Sequence, residues 1–120
     1  MDLGLRDKVA IVTGSSDGIG LVTARTLARE GARVVVCARR EAKLLEARDE
    51  IVKETGAEVF AVQCDVRKLD DVQRLVTETL QRFGSIDILI NNAGSVPSIK
   101  FTDVTDAQWY DYLERKLMGF

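Results

Sequence analysis

Histidine is absent from the 120 residues of this chain, and the sequence holds only two cysteines and one proline. Without histidine, and with Cys37 and Cys64 too scattered to form a ligand cluster, nothing in the sequence resembles a metal centre. Two cysteines do not make a disulfide framework. Each lies near the end of an apolar run, so buried free thiols in a reducing compartment are expected. Neither sign of charge dominates: 17 Lys and Arg against 19 Asp and Glu leave a net charge of −2. No basic stripe alternates with aromatics, which argues against a dedicated nucleic-acid binder. No apolar run approaches membrane-spanning length, and the opening "MDLGLRDKVAIVTG" lacks the basic-then-apolar order of a signal peptide. No repeat or low-complexity tract occurs. The expectation is one compact domain over residues 1–120, cytoplasmic, with neither a nucleic-acid nor a membrane partner.

What the chain does have is an alternation of short apolar runs and helical patterns. "VAIVT" (9–13) and "RVVVCA" (33–38) are β-branched runs without polar alternation, as expected of strands covered on both faces. "EVFAVQC" (58–64) and "IDILI" (86–90) read as a third and fourth strand. Between the strands lie three helical patterns. Ala24, Leu27 and Ala28 share one side, and Gly31 stops that helix. Leu44, Ala47 and Ile51 mark a helix over about 40–55, ended by Gly56. Val72, Leu75, Val76, Thr79, Leu80 and Phe83 form the clearest stripe, closed by Gly84. After a loop with Pro97, Thr105 and Gln108 make a capping box, and Val104 and Trp109 a hydrophobic staple, for a last helix. The order βαβαβαβα predicts a doubly wound, Rossmann-type parallel α/β sheet, first half only, with strand order 3-2-1-4.

Two motifs sit where such a sheet binds ligands. The first strand runs into "TGSSDGIG", with Gly14, Gly18 and Gly20 placed as G-x-x-x-G-x-G. Gly14 suits the tight turn, Gly18 a close approach of backbone to a pyrophosphate, and Gly20 close packing of helix and sheet. The following helix would aim free N–H groups at the phosphates. The plain alternative is an ordinary glycine-rich turn. "NNAG" (91–94) ends the fourth strand, the neighbour of the first at the point where strand order reverses. Asn91 and Asn92 can join the two loops by amide hydrogen bonds, while Ala93 and Gly94 keep the wall low enough for a ribose.

"TGSSDGIG", "CDV" after the third strand and "IDILINNAG", in this order and spacing, resemble the short-chain dehydrogenase/reductase family over essentially the whole chain. The resemblance implies an oxidoreductase that transfers hydride between NAD(H) or NADP(H) and a small alcohol or carbonyl substrate. It places Ser16, Asp17 and Ile19 beside the glycines at the pyrophosphate, Asp65 and Val66 at the adenine, and Asn92, Ala93 and Gly94 at the ribose. Asp65 could instead, or also, serve as a helix N-terminal carboxylate. Family members that prefer NAD carry an acidic residue at the end of the second strand. Here Ala38 is followed by Arg39 and Arg40, so NADP(H) is the expected cofactor, with NAD(H) the alternative. The competing reading makes the two arginines a solvated helix start. Asp17 departs from the basic residue that NADP-binding relatives often have before the second glycine. The family leaves a homo-oligomer open.

The family's catalytic serine and Tyr-x-x-x-Lys lie after a fifth strand, which this sequence does not contain, so no catalytic residue is assigned. Tyr112 and Lys116 have the Tyr-x-x-x-Lys spacing. They also fall on the stripe Trp109, Tyr112, Leu113, Lys116, Leu117, which reads as core spacing. Lys116 stands where relatives carry a relay asparagine; it either replaces that residue or snorkels outward. The expectation is the cofactor-binding half of such an enzyme, ending before strand five; the alternative is a non-catalytic dinucleotide-binding module. "IDILI" would then be an edge strand with only Asp87 as protection, which predicts self-association or marginal stability.

Overall fold

A computed structural model describes residues 3–92 of the chain. In order, the elements are β1 (Val9–Thr13), α1 (Gly18–Arg29), β2 (Arg33–Ala38), α2 (Glu41–Thr55), β3 (Val59–Gln63), α3 (Leu69–Phe83) and β4 (Ile88–Ile90). The strands form one parallel sheet in the order β3-β2-β1-β4, as the sequence pattern requires. The expected last helix, with Trp109, Tyr112 and Lys116, lies outside the described residues.

Helices on both faces account for the uninterrupted apolar strands. Val12, Val34 and Val36 point to one face, where Ala24 and Ala28 of α1 and Leu44 and Ile51 of α2 cover them. Ile11, Val35, Cys37 and Val62 point to the other face and meet Leu75 of α3. Because successive side chains of a strand alternate between faces, a strand covered twice has no polar register. All five residues of β1 are accordingly buried. Cys37 and Cys64 are both buried free thiols in the second cluster. The hydrogen bond with the Cys64 thiol, reinforced by burial, pushes the Cys37 thiol well above its ordinary range.

Three details depart from the sequence reading. The third and fourth strands are shorter than the runs that announce them, although Val34 still donates to the Glu58 carbonyl and Cys64 to the Ala38 carbonyl. Asp87 does not guard the sheet edge: its carboxylate accepts the Val9 N–H at 2.8 Å, closing the first rung between β1 and the approach to β4. On α3, Leu75 and Thr79 are buried as the stripe demands, but Val76 and Leu80 are 38% and 44% exposed. Leu89 on β4 is likewise half exposed. Periodicity identifies the inward face of α3, which meets Ile11, Val35, Cys37 and Val62, but not how far that surface extends.

Candidate functional site

The carboxyl ends of β1 and β4 converge at the point where strand order reverses, and the glycine-rich turn leaves β1 there. Gly14 and Gly18 hold φ of 64° and 58°, left-handed values that a side chain disfavours. Gly20 is buried for a different reason. A Cβ there would collide with the Gly14 carbonyl oxygen and come within 2.6 Å of Asn92 Nδ2. Space in front of Gly18 is open, with no atom within 4 Å of where its Cβ would be. The turn is thus packed tightly behind Gly20 and left free at Gly18, which suits a ligand approaching the backbone.

Side chains fasten the turn to three strands. Ser15, fully buried, donates its hydroxyl to the Val12 carbonyl at 2.7 Å and accepts the Cys37 N–H at 2.9 Å. Its own N–H reaches the Cys37 carbonyl, so it extends the β1–β2 ladder by one residue into the turn. Thr13 Oγ1 accepts the Asn92 N–H at 2.8 Å and donates to the Ile90 carbonyl at 3.3 Å. Asn92 Nδ2 donates to the Gly14 carbonyl at 3.3 Å. The loop-to-loop tie expected of the asparagines is therefore made by Asn92, whereas Asn91 is exposed. Ala93 and Gly94 lie outside the described residues.

Asp17 is the N-cap of α1, yet its side chain makes no capping bond and no acidic residue occupies the first turn. The first turns of α2 and α3, by contrast, carry Glu41 and the pair Asp70 and Asp71. The positive end of α1 is left without an internal carboxylate, beside the open face of Gly18. Ser16 is half-buried, and Ile19, a large apolar residue in the first turn of α1, is 77% exposed. The Asp17 carboxylate instead meets Lys43 Nζ of α2 at 3.4 Å.

At the end of β2, Arg39 and Arg40 are exposed, and Arg40 is the N-cap of α2, consistent with a helix start. The Arg39 carbonyl accepts Gln63 Nε2 at 2.9 Å, which fixes the backbone of this corner. Gln63's own carbonyl accepts the Arg74 guanidinium, which also pairs with Asp71 and Glu78.

After β3, Asp65 is not the helix N-terminal carboxylate; α3 begins at Leu69, and Asp70 and Asp71 take that place. Asp65 closes its own loop, accepting the Arg67 N–H at 3.0 Å and the Arg67 guanidinium on both oxygens at 3.2 and 3.1 Å. Hydrogen bonding to the Arg67 side chain holds its carboxyl below the usual range, so it stays an anionic acceptor into acidic solution. The Asp65 N–H is in turn held by the Asp71 carboxylate at 2.9 Å. Val66 is half-buried against the Leu75 cluster. Ser15, Gln63, Lys43 and Arg67 went unassigned in the sequence reading. Only Arg67 had a local signal, the Asp-x-Arg spacing of a turn closed by its own carboxylate.

The short chain dehydrogenase family model matches residues 8–120. The chain belongs to the short chain dehydrogenase family. Among relatives of this short chain dehydrogenase, the 3-oxoacyl-[acyl-carrier-protein] reductase FabG of Staphylococcus epidermidis is 38% identical over 94% of the chain and 46% of the relative. Dehydrogenase/reductase SDR family member 4 of Oryctolagus cuniculus is 43% identical over 92% of the chain and 42% of the relative. The crystal structure of L-sorbose reductase from Gluconobacter frateurii, complexed with NADPH and L-sorbose, superimposes with a TM-score of 0.91 at 39% identity. That superposition covers 99% of this chain and 45% of the reductase. The chain thus spans less than half the length of these relatives. Among the described residues, no helix is long and apolar enough to cross a membrane and no metal-ligating cluster occurs.

Proposed function

We propose that this short chain dehydrogenase is the cofactor-binding half of an NADP(H)-preferring oxidoreductase acting on a small alcohol or carbonyl substrate. The observation that carries the reading is the glycine-rich turn pinned by Asn92 at the strand-order reversal, tight behind Gly20 and open at Gly18. Gly14, Ser16, Asp17, Gly18, Ile19 and Gly20 would receive the pyrophosphate, whose charge the N-terminal amides of α1 balance. Asp65 and Val66 would border the adenine, with the Asp65 carboxylate accepting from its amino group. Asn92, together with Ala93 and Gly94, would border a ribose. When bound, the nicotinamide supplies or takes the hydride. The residues of this chain orient the dinucleotide and keep its phosphates paired with backbone donors.

Arg39 carries the preference for NADP(H). Its guanidinium follows Ala38, a position without a carboxylate to repel a phosphate, and offers a bidentate donor to the 2′-phosphate. Two solved relatives, L-sorbose reductase and the actinorhodin polyketide ketoreductase, were each crystallised with NADPH, which supports the same direction. Isothermal titration is expected to show NADPH binding more tightly than NADH. Arg39→Ala should weaken NADPH by about tenfold, the loss of one charge-assisted contact, and leave NADH within about twofold. Tighter NADH binding by the unsubstituted protein would overturn the preference.

A further inference from the structure

Two buried thiols lie directly under the candidate site, and the proposed binding does not use them. Cys37 belongs to β2, and Cys64 follows the last residue of β3. The parallel register sets Cys37 opposite Val62, so Cys64, one side-chain repeat farther along, points to the same face of the sheet. Both thiols share a buried cluster with Ile11, Val35, Val62 and Leu75. The Cys37 thiol shares its proton with the Cys64 sulfur and lies 3.6 Å from the Val12 carbonyl. The backbones of the two cysteines fasten the site. The Cys37 N–H donates to Ser15 Oγ and the Cys37 carbonyl accepts the Ser15 N–H, which holds the glycine-rich turn. The Cys64 N–H donates to the Ala38 carbonyl at 3.0 Å, and the next residue is Asp65.

We infer that Cys37 and Cys64 are an oxidation-sensitive dithiol, at which a hydroperoxide forms an internal disulfide that loosens the turn and the Asp65 loop together. The consequence for binding rests on the proposed dinucleotide site; the disulfide itself does not. Cys64 is the thiol that reacts first. It lies at the end of the outermost strand, where local opening uncovers it, whereas β2 is paired on both sides. The proton shared by Cys37 lowers the Cys64 thiol below its ordinary range; burial, Asp71 and Asp65 oppose this and Arg74 assists it. The Cys64 thiolate attacks one peroxide oxygen, the O–O bond breaks, and the departing hydroxide takes up a proton, leaving a sulfenic acid and water. The Cys37 sulfur then attacks the Cys64 sulfur. The S–S bond forms, the S–O bond breaks, and the hydroxide leaves as water with the Cys37 proton, so the thiols are oxidised and the peroxide is reduced. Strand spacing and register put the two Cα atoms about 8 Å apart, beyond the roughly 4.4–6.8 Å that a disulfide spans. Closing the bond therefore draws the start of the Asp65 loop against the Cys64–Ala38 hydrogen bond and shifts Cys37 under Ser15. A bond held under such strain is readily reduced, which makes the change reversible.

Hydrogen peroxide added to the reduced full chain tests this, followed by peptide mapping without reductant, amide hydrogen exchange and NADPH titration. A Cys37–Cys64 link within one chain is expected, with faster exchange at Ser15 and Asp65. NADPH binding should weaken by about tenfold or more and recover with dithiothreitol. Cys64→Ala should bind NADPH within about twofold of its own untreated value after peroxide, and it keeps both methionines, so their oxidation is controlled. The peptide map needs no variant and decides the link even where the alanine protein does not fold. Thiols still free once methionine is oxidised, or links formed only between chains, would overturn the inference. So would a linked protein whose turn exchanges and binds as before. If the reduced protein does not bind NADPH, the dinucleotide reading falls, while the map and the exchange at Ser15 and Asp65 still judge the dithiol.

Discussion

Replacing Gly20 by alanine is expected to abolish dinucleotide binding and to cost roughly 1–3 kcal/mol of stability, the range for forcing a methyl into a filled space. The new Cβ would fall on the Gly14 carbonyl oxygen and within 2.6 Å of Asn92 Nδ2. The first obstacle is backbone, so no rotamer change relieves it. Either α1 moves away from the turn or the turn moves away from β4. Both shifts break the Asn92–Gly14 hydrogen bond and displace the amides that would face the pyrophosphate. Urea denaturation would give the stability loss, and NADPH titration the loss of binding. A Gly20→Ala protein that binds NADPH normally would mean that the packing of turn, helix and Asn92 is not what shapes the site.

Ile51→Ala is expected to produce the opposite division of effects. Ile51 is fully buried on α2 in the cluster that holds Val34, Val36, Ala24 and Ala28. Truncation should cost roughly 2–5 kcal/mol, the lost transfer energy plus the cavity left behind. That is a large part of the 5–15 kcal/mol typical of a domain, so the melting temperature should fall markedly. Ile51 does not belong to the turn, so the folded fraction should bind cofactor with unchanged affinity. A large loss of affinity in folded Ile51→Ala protein would show that core and site are coupled in a way the contacts do not suggest.

How far the sequence foretold this structure varied with the kind of signal. The limits of β1 and β2 match the apolar runs residue for residue, because a strand buried on both faces tolerates no polar position within it. Strand order follows from the crossovers, which leave few ways to connect parallel strands. Leu44, Ala47 and Ile51 of α2 are all buried as their spacing demands. Val76 and Leu80 belong to the apolar stripe of α3 yet are 38% and 44% exposed, since a stripe reports direction and not how much surface lies opposite.

The geometry of the candidate site was legible at its glycines and at Asn92, where backbone conformation and close packing restrict the residue type. Ser15, Gln63 and Lys43 were not legible. Their partners lie between 22 and 26 residues away in sequence and meet them only once a strand and a loop, or a helix and a loop, have come together. Asp17 illustrates the difference. In the sequence it is a departure from the basic residue that NADP-binding relatives often have before the second glycine, and only the structure sets Lys43 against it.

The most direct test of the central claim, that the turn between β1 and α1 receives a dinucleotide, is to follow the backbone amides of the ¹⁵N-labelled protein by NMR as NADPH is added. The account predicts shifts concentrated at Gly14, Ser15, Ser16, Asp17, Gly18, Ile19 and Gly20, with further shifts at Arg39, Asp65 and Asn92. The C-terminal halves of α2 and α3 should stay in place. Saturating NADPH that leaves the amides of the turn unmoved, or that shifts a set remote from the β1–β4 junction, would contradict it.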